Sequence, residues 1–345
     1  MKILMVGLGS MGFYHMKKFT NLGMDIVGGV DPNIEKQNKA QKLYNIPWVG
    51  EHIEDFPGEM DAISIAIPDA LHKNCYLKAM KFNKPLFLEK PLACNLVDAL
   101  ELEEKIGDNC LINYSKRNVI ALFALKEILE KNTLGKVKKV EIEYNQDWLA
   151  KESCVPWMEN DRYLWRLSPI FSAGGCIADL GSHLLDCLFI LFNTVEFKET
   201  VFERTFKEEI DDGLFDYKST KEYKYRLLDN VSEKPKIYVD YRGKFVLDSQ
   251  IPCSFSCTFV SKKYSEAMLI RIIGEKGEAF IDSSVERKNV ILNIDGKEEK
   301  VMGSPIVPTY SQFKNFVEKK IQHDLPTIYR AVEIQQILQE VLFCQ

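Results

Sequence analysis

A glycine-rich turn near the start of the chain constrains the fold more than any other feature of the sequence. The apolar run 3–6 leads into Gly7-Leu-Gly-Ser-Met-Gly12, and residues 13–22 then repeat apolar side chains at helical spacing up to Gly23. A second apolar run, 26–30, ends at Asp31, 19 residues after Gly12. A strand, a tight turn, a helix and a second strand predict a βαβ unit with a parallel sheet.

The G-x-G-x-x-G spacing of this turn is typical of a dinucleotide site. The glycines permit the tight turn, the approach of a pyrophosphate to the backbone, and close packing of helix on strand, while N–H groups at the helix start favour negative charge. Asp31 can accept hydrogen bonds from ribose hydroxyls and would repel a 2′-phosphate, so we expect NAD, with NADP as the alternative cofactor. The residues expected to bind it here are Gly7, Gly9, Ser10, Met11, Gly12 and Asp31.

The same strand–helix alternation continues to about residue 115 and then stops. Apolar runs at 62–67, 85–88 and 110–114 alternate with helical patterns, which predicts a Rossmann domain with a doubly wound parallel sheet over 1–117. Beyond a helix at 120–130, period-two patterns predict an α+β domain over 118–345 with a large open, mainly antiparallel sheet. Its closing helix, about 310–343, is a candidate to pack back on the Rossmann domain, and the charged stretch 203–236 is expected to leave the sheet.

Charge and cysteine content bear on partners and location. With a net charge of -5 and no cluster of Lys and Arg, we expect no nucleic-acid partner. The nine scattered cysteines include no C-x-x-C pair, so they are interpreted as small buried thiols of a reducing compartment. Since no apolar run could cross a bilayer and no signal peptide is recognisable, the expected location is cytoplasmic, with no membrane partner.

Two motifs could carry chemistry. Glu89-Lys90-Pro91 follows strand 85–88 at the edge where open α/β sheets bind ligands, and a lysine there can polarise a substrate oxygen; a solvated strand-end charge is the alternative. In a helix, Asp179 and His183 would share a face, with Asp186 one turn further. Histidine beside a carboxylate suits a general base for an alcohol. A metal site from all three side chains and a simple hydrogen-bonded pair stay as alternatives.

Together these motifs resemble the glucose–fructose oxidoreductase / inositol 2-dehydrogenase / MocA-like (Gfo/Idh/MocA) oxidoreductase family over nearly the whole chain. The resemblance rests on 7–12, Ile65-Ala-Ile-Pro68-Asp-Ala-Leu-His72, Phe87-Leu-Glu89-Lys90-Pro91-Leu-Ala93, Gly174-Gly175 through Asp179, Gly181, His183 and Asp186, Ile273-Gly-Glu-Lys-Gly277 and the closing helix. It implies a Rossmann domain joined to an open sheet that commonly serves for oligomerisation, here as a homodimer or homotetramer.

The resemblance also assigns roles to residues. It implies that Lys90, Asp179 and His183 form the catalytic group at the nicotinamide, with no metal. It places Ile67, Pro68, His72, Glu89 and Lys90 along the cofactor cleft, and it makes Arg117, Trp165 and Arg166 candidates for substrate binding. For Arg166 a surface salt bridge is the alternative.

The expected function is an NAD(P)-dependent oxidoreductase, with NAD(H) preferred, that reversibly oxidises a secondary alcohol of a sugar, polyol, inositol or sugar derivative. In this hypothesis His183 takes the hydroxyl proton, Lys90 hydrogen-bonds the same oxygen, Asp179 orients the group, and a hydride passes to nicotinamide C4. The alternatives are a reductase of a tetrapyrrole, imine or dihydrodiol, and a non-catalytic dinucleotide-sensing regulator.

Overall fold

The computed structural model describes residues 1–150, 165–168, 171–205, 237–320 and 324–343. The chain divides into two compact units. The first unit comprises Met1–Tyr114 and Val307–Gln335, and the second comprises Ser115–Ile306 and Gln336–Gln345. No helix within the described ranges is both long enough and apolar enough to cross a membrane.

The first unit contains a parallel sheet of six strands in the order β3-β2-β1-β4-β5-β6. The strands are β1 (Lys2–Val6), β2 (Asp25–Val30), β3 (Val49–Gly50), β4 (Ala62–Ile65), β5 (Leu86–Leu88) and β6 (Cys110–Ile112). The helices between them are α1 (Ser10–Asn21), α2 (Ile34–Tyr44), α3 (His72–Ala79) and α4 (Leu96–Ile106). This order confirms the predicted Rossmann-type sheet, in which the carboxyl ends of β1, β2, β4 and β5 meet at one edge.

The second unit contains a mixed sheet of eight strands in the order β14-β13-β12-β11-β7-β10-β9-β8. Its strands are β7 (Val137–Gln146), β8 (Val195–Thr205), β9 (Tyr238–Leu247), β10 (Ile251–Thr258), β11 (Glu266–Gly274), β12 (Gly277–Asp282), β13 (Asn289–Ile294) and β14 (Lys297–Met302). Among the eight described strands, only β7 and β10 pair in parallel, so the prediction of a mainly antiparallel sheet is confirmed.

Two helices of the second unit matter for the site. Helix α5 spans Ile120–Glu130, and α6 spans Ser182–Leu191. A π-helical turn, Ile177–Gly181, leads directly into α6. Strand β8 covers the beginning of the charged stretch predicted to leave the sheet, and the remainder, 206–236, lies outside the described residues.

The closing stretch forms two helices, α7 (Thr309–Val317) and α8 (Ile328–Phe343), where the sequence pattern suggested one. Helix α8 begins just after Pro326, which has no N–H to continue a helix from the preceding residues. Helix α7 packs in the core of the first unit, where the Tyr310 and Phe19 rings lie 5.2 Å apart and Phe313 lies 4.9 Å from Phe87.

Candidate functional site

The glycine-rich turn follows β1 and opens α1, as predicted. A Cβ on Gly7, whose φ is +86°, would lie 2.1 Å from the Ala66 carbonyl oxygen, and one on Gly12 would lie 1.9 Å from the Gly7 carbonyl oxygen. Around Gly9, in contrast, nothing lies within 4 Å of a Cβ position. Two glycines are therefore required by packing inside the protein, whereas the space at Gly9 is open to a ligand that approaches the backbone.

The start of α1 suits a negatively charged group. Gly9 is the N-cap and supplies no side-chain acceptor, and the first turn contains no acidic residue. Ser10 is exposed and Met11 is half-buried on this turn. The N–H groups and the positive end of the helix dipole are therefore not neutralised by the helix itself, which fits a pyrophosphate.

Asp31 directly follows β2 and lies against the turn. Its Oδ2 accepts the Leu8 N–H at 2.8 Å, and its Oδ1 accepts the Asn33 N–H at 2.9 Å. Each carboxylate oxygen retains capacity for a second donor. Asp31 thus orders the turn and can also accept hydrogen bonds from ribose hydroxyls, so the residues present fit a dinucleotide.

Lys90 lies at the same edge of the sheet. Lys90 follows β5, and Ile67 and Pro68 follow the neighbouring strand β4. All three residues are half-buried. Parallel neighbouring strands bring these segments together at the edge that also carries the glycine turn. The cofactor-cleft residues predicted for the first unit therefore share one edge, except that Glu89 and His72 turn inward.

Glu89 points into a buried polar network that sequence reasoning missed. Its Oε1 accepts hydrogen bonds from His15 Nε2 at 2.8 Å and from Asn113 Nδ2 at 2.7 Å. The other ring nitrogen of His15 lies 2.9 Å from Ser64 Oγ, and Asn113 Nδ2 lies 3.3 Å from the Tyr310 hydroxyl. The only sequence signal was a histidine on the apolar face of α1.

Burial decides what this network can do. The order serine, histidine, carboxylate is that of a hydrolase triad, but Ser64 and His15 are both 0% exposed, so no substrate reaches the serine. Burial acts to raise the pKa of Glu89, but the His15 and Asn113 hydrogen bonds and nearby positive charge outweigh it and hold that pKa below its ordinary value. The network holds an ionised Glu89 next to Lys90.

His72 is also buried, and its ring nitrogens lie 2.9 Å from the Pro91 carbonyl oxygen and 3.0 Å from that of Ile67. Both ring nitrogens therefore contact backbone carbonyl oxygens inside the protein.

In the second unit, Asp179 lies within the π turn and His183 in the first turn of α6. A π turn holds more residues than an α turn, so the four-residue spacing no longer fixes a shared face as it would in a regular helix. Arg166 Nε donates to Asp179 Oδ2 at 2.9 Å, and its guanidinium lies 4.5 Å from the Trp165 ring. The Trp165–Arg166 pair predicted for substrate binding thus contacts Asp179.

A glycine explains how this helix starts. Gly175 has φ +67° and forms a bridge to Tyr238, the first residue of β9. A Cβ there would lie 2.2 Å from the Tyr238 carbonyl oxygen, so only glycine fits. The contact fixes the chain four residues before Asp179 against the large sheet.

Asp186 forms a buried ion pair with Arg117. Arg117 Nε donates to Asp186 Oδ2 at 2.8 Å and Nη2 donates to Oδ1 at 2.7 Å, and the two side chains are 7% and 1% exposed. Both oxygens of Asp186 are engaged, which argues against the alternative of a metal site. Among the residues with described positions, no group of three potential ligands could hold a metal.

Tyr144 is a second residue that sequence reasoning missed. Its ring lies 6.4 Å from that of His183, its hydroxyl donates to Glu266 at 3.2 Å, and Lys116 Nζ lies 4.7 Å over its face. Burial raises the pKa of Tyr144, as do the negative charges of Glu266 and Asp179. Tyr144 therefore stays a neutral donor beside His183. In the sequence, Tyr144 follows Val140 and Ile142 at alternate positions of β7, so the pattern indicates only a buried side chain and not a neighbour of His183.

Comparison with known proteins gives the family. Residues 1–110 match an oxidoreductase family with an NAD-binding Rossmann fold, and residues 123–280 match the GFO/IDH/MocA C-terminal domain. Glucose-6-phosphate 3-dehydrogenase of Bacillus subtilis (strain 168) is 22% identical over 273 residues, covering 76% of this chain and 72% of the relative. The scyllo-inositol 2-dehydrogenase (NAD(+)) of the same strain is 28% identical over 142 residues, covering 38% of this chain and 40% of the relative.

Solved structures share the fold. Levoglucosan dehydrogenase, in complex with NADH and levoglucosan, has a TM-score of 0.72 and 16% identity, covering 98% of this chain and 95% of that one. An oxidoreductase from Thermotoga maritima has a TM-score of 0.76 and 18% identity, covering 99% and 95%. The family matches confirm the resemblance inferred from the motifs and, with it, an NAD-binding Rossmann domain.

Proposed function

The chain belongs to the GFO/IDH/MocA family of NAD-binding oxidoreductases, and from this premise we propose that it reversibly oxidises a secondary alcohol of a sugar, polyol, inositol or sugar derivative. The observation that carries the proposal is the common sheet edge of the first unit, where the open turn at Gly9, Asp31 and Lys90 follow the carboxyl ends of β1, β2 and β5. Relatives named for glucose-6-phosphate and scyllo-inositol support the substrate class.

For the cofactor we propose NAD(H) over NADP(H). Asp31 is 6% exposed and already accepts two backbone N–H groups, so it cannot turn away from an incoming ribose without breaking the contacts that order the turn. A 2′-phosphate at this position would meet a fixed negative charge, whereas a 2′-hydroxyl would meet an acceptor.

The proposed roles of the chain's own residues follow their chemistry. His183 accepts the proton of the substrate hydroxyl, and the Lys90 ammonium donates a hydrogen bond to the same oxygen and stabilises the developing negative charge. Asp179, held by Arg166, is assigned the role of orienting this group. Bound NAD supplies a hydride acceptor at nicotinamide C4.

Tyr144 and Arg117 receive different roles. Tyr144 already donates its one O–H to Glu266 and its ring lies beside that of His183, so we propose that it helps to hold the imidazole in place. Arg117 was predicted to bind substrate, but its guanidinium pairs with Asp186. We therefore propose that it fixes α6 and thereby His183.

A cofactor-reduction assay across polyols, aldoses, inositols and nucleotide sugars tests the proposal directly. We expect reduction of NAD with at least one member and a fluorescence titration in which NADH binds more tightly than NADPH. Turnover restricted to tetrapyrrole, imine or dihydrodiol acceptors would overturn the substrate class, and tighter binding of NADPH would overturn the cofactor preference.

Variants Lys90→Ala and His183→Ala test the assigned roles. Since proton transfer and charge stabilisation act in the transition state, we expect kcat to fall by about 10²–10⁴-fold while NADH affinity stays nearly unchanged. Lys84→Ala, a half-buried lysine before the same strand, is the matched control and should keep wild-type kcat. Wild-type turnover by both active-site variants would contradict the assignment.

A further inference from the structure

His72 links two backbone segments that the sheet itself does not connect. The β4–β5 ladder ends at the pair Ile65 and Leu88, so Ile67 and Pro91 both lie beyond its last rung. The imidazole lies between their carbonyl oxygens, with Nδ1 at 2.9 Å from that of Pro91 and Nε2 at 3.0 Å from that of Ile67. A carbonyl oxygen only accepts, so the ring donates to one of the two oxygens when it is neutral and to both only when both nitrogens carry protons.

The ring itself is held in place. His72 is 0% exposed and stacks on Tyr76, one turn later in α3, with ring centroids 4.8 Å apart and an interplanar angle of 21°. The Tyr76 hydroxyl donates to the Glu89 carbonyl oxygen at 3.2 Å. Helix α3 therefore contacts the backbone on both sides of Lys90, at Glu89 through Tyr76 and at Pro91 through His72.

We propose that His72 is a positioning residue. It does not contact the cofactor; it fixes the segment that carries Lys90 at a set distance from the segment that carries Pro68. The link between the two segments stands on the geometry alone, whereas its consequence for turnover rests on the proposed function of Lys90.

Three variants separate the link from simple packing. His72→Phe keeps a planar ring that can stack on Tyr76 but has no N–H donor. His72→Gln keeps an amide donor in place of the ring nitrogens. His52→Phe replaces an exposed histidine of the same unit and serves as the control.

Hydrogen exchange measured by mass spectrometry reads the link without any substrate. In His72→Phe we expect exchange at 66–71 and 89–94 to accelerate together by about tenfold, because a lost buried hydrogen bond is worth roughly 1.5 kcal/mol. Exchange in peptides from β1 and β2 should be unchanged. In the segments 66–71 and 89–94, His72→Gln should show an intermediate exchange rate and His52→Phe the wild-type rate. Acceleration in one segment only, or spread evenly over the unit, would overturn the proposal; if His72→Phe does not fold, His72→Gln decides by the same two segments.

Turnover then tests the consequence for catalysis. A displaced Lys90 should lower kcat by about 10–100-fold in His72→Phe, with NADH affinity nearly unchanged and partial recovery in His72→Gln. If exchange accelerates but kcat stays unchanged, His72 links the two segments without positioning Lys90 for turnover. An inactive wild-type enzyme would count against the proposed function, while the exchange result would still decide the role of His72.

Discussion

At the scale of single residues, Glu89 shows how burial and hydrogen bonding compete. A carboxylate with a side chain only 10% exposed should be costly, yet the hydrogen bonds from His15 and Asn113 keep its pKa below the ordinary value of 4.5. The ionised form is therefore the one that the fold stabilises. The sequence placed Glu89 in the cofactor cleft from its position in the motif, and no local pattern could reveal partners 74 and 24 residues away.

Glu89→Gln should lower the free energy of unfolding at pH 7 by about 1–3 kcal/mol, because it weakens a buried, charge-assisted hydrogen bond to His15. Chemical denaturation measures the change. Glu59→Gln, at a side chain 91% exposed, is the control and should change stability by less than about 0.5 kcal/mol.

The pH dependence of this difference has a definite sign. Since the folded-state pKa of Glu89 is lowered from 4.5, its contribution is complete above the unfolded pKa and is lost as pH falls through the lower, folded-state value. The stability gap between wild type and Glu89→Gln should therefore be constant near neutrality and shrink in the acid range below 4.5. A gap that widens on acidification would refute the assignment of an ionised Glu89.

At the scale of elements, α6 is fixed by one contact before its start and another within it. Gly175 bridges to Tyr238 before the π turn, and Asp186 pairs with Arg117 in the short helix Ser115–Asn118. The sequence predicted a helix that displays Asp179, His183 and Asp186 on one face. In the structure each of the two carboxylates also forms an ion pair with an arginine from another segment of the chain.

Removing one member of the buried pair should cost more than removing both. Arg117→Met or Asp186→Leu leaves an uncompensated buried charge and should destabilise by about 3–5 kcal/mol, whereas the double variant should lose less than either single one. Lys105→Met, in an exposed pair with Glu101, is the control, with less than about 0.5 kcal/mol expected. Additive losses in a double-mutant cycle would show that the pair does not stabilise α6 as proposed.

At the scale of the whole molecule, the large sheet carries a half-buried phenylalanine, Phe280, on one of its faces. Ala279 and Ile281 are fully buried, so Phe280 between them points to the opposite face, where it is only half-buried and lies between Arg271 and Ile291 of the adjacent strands. We propose assembly as a homodimer or homotetramer through this face, as expected from the family resemblance.

Phe280→Glu should weaken this assembly, because it replaces an apolar ring in the proposed contact with a carboxylate that would lose its hydration on burial. Light scattering coupled to size exclusion should show the wild type as a multiple of one chain and the variant shifted toward a single chain. Val97→Glu, at a 75% exposed position of α4, is the matched control and should keep the wild-type mass. A single-chain wild type, or an unshifted Phe280→Glu, would exclude this face.

The sequence by itself determined the Rossmann sheet, the dinucleotide turn and the strand end that carries Lys90, because these depend on short-range patterns of apolar runs, glycines and helix starts. It did not reveal α2, in which only Gln37 and Ala40 are buried, or β9, which begins just after the charged stretch 203–236. Only the tertiary structure decided which side chains pair: Glu89 with His15, Asp186 with Arg117, Asp179 with Arg166, and His72 with two carbonyls. Hydrogen bonds and ion pairs between distant segments depend on how those segments meet, and spacing along the chain contains no record of that.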